Sequence, residues 1–213
     1  MALTKRALAI GRSFSGMTAA LRLGSLGIAV DMVEIDVGWR SFRTEISLNR
    51  ATLRLIRQLG LIDQFLAVWA VSSGVQFRAP NDMVVAGLPT PRDVGPDLPG
   101  GARIMRLALA RILSDTVGAT SVRARLGQTF TTIENSPEQV QVSFGDASAE
   151  SCDLVIGADR VYSVTRTAVF LDAPKPRFIG QLVWRAVLPR KRDRGRGGAG
   201  PRDWPRDKSF AGT

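Results

Sequence analysis

The sequence predicts an α/β fold organised around a parallel strand–helix–strand unit, on three observations. Residues 6–10 (RALAI) form a short apolar run of the kind that makes a buried strand. A loop bounded by Gly11 and Gly16 leads into residues 16–26, where Met17, Ala20, Leu21 and Leu23 form an apolar face and Gly24 and Gly27 mark the end of a helix. Residues 28–35 (IAVDMVEI) read as a second strand. Two strands joined by one helix at this length form a βαβ unit, the core of a Rossmann-like domain.

Further along, residues 48–66 read as two short helices broken at Gly60. Residues 75–78 and 83–88 read as strands around the turn Pro80-Asn81-Asp82. The Pro- and Gly-rich stretch 89–101 is a loop. Residues 104–116 carry Met105, Leu109, Ile112 and Leu113 at helical spacing and predict an amphipathic helix. Strand patterning then returns at 129–133, 140–144 and 153–157, with turns at Asn135-Ser136-Pro137-Glu138 and Gly145-Asp146.

Composition narrows the class. A chain of 213 residues with 45% hydrophobic content is long enough to bury a sizeable core. Its apolar runs fall far short of the ~20 residues of a membrane-spanning helix, and no signal-peptide pattern opens it, so no membrane association is expected. The single Cys152 allows no internal disulfide, and the reading is cytoplasmic. Histidine is absent, which excludes His-dependent triads and most zinc sites; no metal site is expected. Half of the net charge of +10 lies between 190 and 208, where eight basic side chains face three aspartates. A Gly/Pro/Arg run of this kind is read as a solvated, disordered tail, with no specific nucleic-acid partner.

The loop Gly11-Arg12-Ser13-Phe14-Ser15-Gly16 carries the first functional signal. A strand that ends in glycine and feeds a helix offers free backbone N–H groups and the positive end of a helix dipole, and this combination binds a pyrophosphate. In the G-x-G-x-x-G fingerprint the first glycine makes the turn, the second lets backbone approach phosphate, and the third packs helix on strand. Gly11 and Gly16 fill the first and third positions, and Ser13, small and able to donate its hydroxyl, stands at the second. Arg12 either adds charge or points to solvent. Glu34 ends the second strand, where an acid accepts hydrogen bonds from the ribose of an adenine dinucleotide and disfavours a 2′-phosphate.

With the downstream segments added, the chain resembles the FAD-dependent aromatic-hydroxylase family, the group A single-component flavoprotein monooxygenases, in their N-terminal portion. The resemblance covers roughly residues 4–189. It rests on KRALAIGRSFSGMTAALRL through VDMVEID, on ISLNRATLRLIRQLGLID, on IMRLALARIL, and on CDLVIGADRVYSVTR, which is similar to the family's DG motif. FIGQLVWRAVLP looks like the start of the family's substrate-binding sheet. The resemblance implies FAD as cofactor and NAD(P)H as co-substrate. It also implies a C4a-hydroperoxide of the flavin as hydroxylating species and an aromatic or polycyclic small molecule as substrate. Because the cofactor carries that chemistry, no catalytic side chain is assigned.

The cofactor-binding candidates are Gly11, Ser13, Ser15, Gly16 and Glu34 from the βαβ unit, with Arg106 as the family's flavin-side arginine or a solvated helix-end residue. Asp159 stands beside the cofactor or caps the next segment, Phe130 lends its backbone to the adenine or is core, and Arg40 and Ser47 are implied by resemblance alone. Arg166 pairs with a nicotinamide pyrophosphate or with a surface acid, Trp184 is sheet packing or a substrate wall, and Cys152 is an inert small hydrophobe.

The chain also departs from the family pattern. Arg160 replaces the DG glycine, Arg43-Thr44-Glu45 stands where the family has a glycine-rich turn, and Arg50 stands where a small or polar residue is common. No counterpart of the family's later Gly-Asp motif is found. The expected organisation is an FAD-binding Rossmann-like domain over 1–170 with substrate-domain strands inserted around 70–103. The start of a mixed β-sheet substrate domain follows over 171–189, C-terminally truncated, and then a basic tail over 190–213. A catalytically inactive remnant, or an NAD-binding protein using only the βαβ unit, is the alternative.

Overall fold

The computed structural model describes residues 4–38, 44–72, 74–81, 83–89 and 101–182. In chain order the elements are β1 (Arg6–Ile10), α1 (Phe14–Ser25), β2 (Ala29–Glu34), β3 (Glu45–Leu48), α2 (Arg50–Gln58), α3 (Ile62–Leu66), β4 (Ala70–Ser72), β5 (Gly74–Arg78) and β6 (Val84–Pro89). They continue with β7 (Gly101–Met105), α4 (Arg106–Gly118), β8 (Arg123–Leu126), β9 (Phe130–Asn135), β10 (Val140–Phe144), β11 (Ala149–Cys152), β12 (Leu154–Gly157) and α5 (Val164–Val169). Of the described residues, those up to 38 and from 113 onward form one compact unit, and 44–112 form another.

The first unit holds a four-stranded sheet in the order β12-β1-β2-β8, with every neighbouring pair parallel. β1 is central, which is why its run is apolar on both faces: Ala7 through Ile10 are all buried. Leu8, Ile10 and Val33 pack with Phe130, Val142, Phe144 and Cys152 of the antiparallel sheet β11-β10-β9. Residues alternate sides along a strand, so Ala7 and Ala9 face the other way, and α1 runs over β1 and β2 there. α1 buries Gly16, Met17, Ala20 and Leu21. It stops at a Schellman turn in which Ile28 N–H donates to Leu23 and Gly27 N–H to Gly24, with Gly27 at φ 80°.

A charged seam ties this unit at the opposite end from its phosphate loop. Asp31 of β2, 3% exposed, accepts from Arg6 Nη2 at 2.9 Å and from Arg123 Nε at 2.7 Å. Arg6 also reaches Glu150 at 3.0 Å, which in turn meets Arg125 at 3.2 Å. Burial pushes the Asp31 carboxyl up, but the hydrogen bonds and charges of Arg123 and Arg6 outweigh it and hold the group below its ordinary 3.8.

The second unit contains the antiparallel sheet β3-β7-β4, the hairpin β5-β6, and α2 and α3. Asn49 caps α2 by accepting from Thr52 N–H at 3.0 Å, and Gly60, at φ 71°, closes it. The break expected at Gly60 is present.

The structure corrects several sequence expectations. The helix expected over 104–116 begins at Arg106; Ile104 and Met105 are strand. Their apolar side chains fit either element, but β7 is paired on both edges, and Arg106 N–H continues the ladder to Thr44 at 2.8 Å. Leu48, read as helical, ends β3 opposite Ala102. β3, β8, β11 and α5 were not expected; each spans only four to six residues, too few for a periodic pattern to stand out. Arg40, Arg43, Trp184, most of the loop over 89–101 and the basic tail over 190–213 lie outside the described residues.

Candidate dinucleotide site

Gly11 follows β1 and adopts φ 102°, a conformation that L side chains avoid. Its N–H donates to Val33 O at 2.8 Å, and a Cβ there would lie 2.4 Å from the carbonyl oxygen of Ala158. Gly16 is tighter still, since its Cβ would lie 2.1 Å from Gly11 O. Ala158 in turn donates its N–H to Ile10 O at 2.7 Å. The ends of β1 and β12 are therefore pressed together with the start of α1. This is the crevice outside the carboxyl ends of parallel strands where open α/β sheets bind ligands.

Ser13, the residue at the fingerprint's second glycine position, is the N-cap of α1 and accepts from Gly16 N–H at 3.3 Å. A serine is thus accounted for locally: its hydroxyl satisfies one of the donors that a helix start leaves over. Ser15 is exposed in the first turn, which contains no acidic residue to repel a phosphate drawn to the positive end of the helix. The Arg12 side chain, left open by the sequence, hydrogen-bonds Ser114.

Glu34 closes the arrangement. It is 5% exposed at the end of β2; Oε2 accepts from Arg12 N–H at 2.7 Å and Oε1 from Asp36 N–H at 3.0 Å. A carboxylate has about four lone-pair positions, so two backbone donors leave acceptor capacity for a sugar diol. Loop, helix start and strand-end carboxylate have the donors and the acceptor that the adenosine diphosphate end of FAD would need.

Asp159 follows the same crevice. Ser163 Oγ donates to its Oδ1 at 2.5 Å, and Thr165 N–H and Oγ1 donate to its Oδ2 at 2.9 and 3.1 Å. Burial raises this carboxyl, but the bonds from Ser163 and Thr165 win and hold it below 3.8. The side chain organises the start of α5, whose N-cap is Ser163. Phe130 is buried in the core cluster between the two sheets. Cys152 belongs to that cluster, and burial pushes its thiol up. Ser47, on β3 opposite Arg103, and Arg106, first residue of α4, lie in the second unit. The structure brings together Gly11, Ser13, Ser15, Gly16, Glu34 and Asp159.

Two contacts were beyond sequence reasoning: the Arg12 N–H bond to Glu34, and Arg160 Nη2 at 4.0 Å from Glu34 Oε2. Arg160 stands out in sequence as a replaced glycine, but nothing there indicates its partner. Among the described residues no group of His, Cys, Asp and Glu is arranged to hold a metal, and no helix is long and apolar enough to cross a membrane.

Parallel sheet, glycine loop and strand-end acid define an adenine-dinucleotide-binding domain. Residues 5–196 match the family described as FAD binding domain, and the chain belongs to it. It is 30% identical over 190 residues to 3-amino-4-hydroxybenzoate 2-monooxygenase of Streptomyces cremeus, covering 86% of this chain and 46% of that protein. It is 26% identical over 186 residues to the FAD-dependent urate hydroxylase of Klebsiella pneumoniae, covering 86% and 47%. Among solved structures, HpxO of Klebsiella pneumoniae, complexed with FAD and uric acid, aligns with a TM-score of 0.64 at 25% identity, over 76% of this chain and 41% of that one. The tetrameric form of 2-methyl-3-hydroxypyridine-5-carboxylic acid oxygenase shares the fold, with a TM-score of 0.67 at 24% identity over 79% and 43%. The chain spans about half the length of the curated relatives it matches.

Proposed function

We propose that this chain is the FAD-holding part of a monooxygenase that hydroxylates an aromatic or polycyclic small molecule, with NAD(P)H as reductant. The observation that carries the reading is Glu34: a buried acid at the end of β2 whose Oε2 accepts from the backbone of the Gly11–Gly16 loop. Ser13 and Ser15 would receive the pyrophosphate on backbone N–H groups, Gly11 and Gly16 would give the loop its close turn, and Glu34 would take the ribose hydroxyls. Asp159 would act by fixing the β12–α5 turn against the loop. Arg106, Ser47 and Arg40 are proposed flavin-side residues by family resemblance, and Phe130 is proposed to support the adenine end through its backbone. When bound, FAD supplies the redox and oxygen chemistry; the chain's own residues bind and orient it. Family membership and the aromatic substrates named for its relatives support the substrate class. The buried lone thiol Cys152 supports action in the cytoplasm.

The test is the visible absorption spectrum of the purified chain before and after adding FAD, followed by dialysis against ADP. Flavin bands that travel with the chain and are displaced by ADP are expected. No flavin uptake at high FAD would sink the reading, and NAD binding without flavin uptake would favour a simple NAD-binding protein. Flavin uptake without NAD(P)H oxidation would leave a cofactor-binding remnant.

A further inference from the structure

Arg160 has no role in the cradle as described, yet its backbone and side chain are both unusual. Its φ is 75°, the left-handed region that a residue with a side chain avoids. Two residues earlier Ala158 lies against Gly11 and Gly16, so this turn borders the phosphate loop. From there Nη2 stands 4.0 Å from Glu34 Oε2, the same oxygen that accepts the Arg12 N–H at 2.7 Å. The Arg160 side chain is 55% exposed and the Glu34 side chain 5%, so the guanidinium sits on the solvent side of a buried acid beside the loop.

This pair is too long for a hydrogen bond and is exposed on the arginine side, so it holds the guanidinium weakly. Glu34 already accepts two backbone N–H groups and does not need it. Five donors in a planar fork match a phosphate oxygen pair better than a carboxylate 4.0 Å away. Arg12, the loop's own cation, is turned to Ser114. We propose that Arg160 is a binding residue for the diphosphate of an adenine nucleotide seated on the Gly11–Gly16 loop. Its guanidinium leaves Glu34 for the phosphoanhydride, and the freed Oε2 accepts from the ribose. This rests on the loop being an adenine-dinucleotide cradle.

The test is calorimetric titration of the full chain with ADP, comparing wild type with Arg160→Gly, Arg160→Gln and Arg160→Lys. Glycine relieves the positive φ, so the first variant should fold at least as well; glutamine keeps length without charge. Arg160→Gly and Arg160→Gln should each weaken ADP binding by about tenfold or more, while lysine, which keeps the charge but not the planar fork, should fall between wild type and glutamine. Wild-type affinity should fall more steeply with added salt than that of Arg160→Gln. Equal or tighter binding by the glycine or glutamine variant would overturn the inference and leave the cradle standing. Lysine as weak as glutamine would also overturn it, since charge would not be the cause. Failure of all four proteins to bind ADP would instead bring down the cradle reading, and the role of Arg160 with it.

Discussion

Glu34 and Arg12, 22 residues apart, are joined by a 2.7 Å bond from the Arg12 backbone N–H to the Glu34 Oε2. The phosphate loop and the strand-end acid are therefore one object: the carboxylate that would hold a ribose also holds the shape of the loop that would hold the phosphates. Changes at the acid should register in stability as well as in binding.

Glu34→Ala leaves the N–H groups of Arg12 and Asp36 without their acceptor. Each buried, unsatisfied donor costs about 1–3 kcal/mol, so a loss of about 2 kcal/mol is expected in urea unfolding. Titration with ADP should show affinity falling as well. A variant with full stability would mean that other acceptors or water replace the carboxylate.

Gly16→Ala should be among the most damaging small substitutions in the chain. Its Cβ would lie 2.1 Å from the carbonyl oxygen of Gly11, a backbone atom that cannot swing away. A destabilisation of about 3 kcal/mol or more is expected. Gly27→Ala is the control: it has φ 80° but nothing within 4 Å of its Cβ, so only the left-handed backbone costs, about 1 kcal/mol. Thermal melts of the two variants side by side give the comparison.

Acid should weaken the first unit through Asp31. Its folded-state pKa lies below the unfolded 3.8, so its stabilisation is fully present above that value and is lost as pH falls beneath it. Asp159 and Asp153 are depressed in the same direction and share the window. Asp31→Asn should flatten the stability profile below about pH 4. Its cost at neutral pH should be about 1 kcal/mol, because both arginine partners are partly exposed and screened. An unchanged acid limb would show that the seam is not what titrates.

Ala147 occupies φ 66° in the turn between β10 and β11. Glycine there removes the steric cost of the left-handed backbone but enlarges the unfolded ensemble. A net gain of about 0.5 kcal/mol is expected for Ala147→Gly, read as a rise in Tm. A fall would show that the turn already relaxes around the alanine.

How much of this was legible in the sequence depends on where the specifying interaction lies. β1 was readable to the residue because a central parallel strand must be apolar throughout, and Ala7 to Ile10 are. The break at Gly60 and the stop at Gly27 were readable because a left-handed cap favours glycine. Ile104 and Met105 read as helix in sequence but are strand, because apolar spacing over so few residues suits both; their pairing with β3 decides it.

The same division runs through the site. The sequence by itself determined the βαβ unit, the Gly11–Gly16 loop and an acid at the end of its second strand, since each follows from local spacing and backbone permission. Only the tertiary structure decided that Ser13 caps α1, that Asp159 binds Ser163 and Thr165, and that Arg160 turns back to Glu34. The first two of these are bonds within a few residues, but whether a polar side chain turns inward to the backbone or outward is settled by the packing around it. The third joins the turn after β12 to the end of β2, and nothing local distinguishes an arginine that meets a buried carboxylate from one left in water.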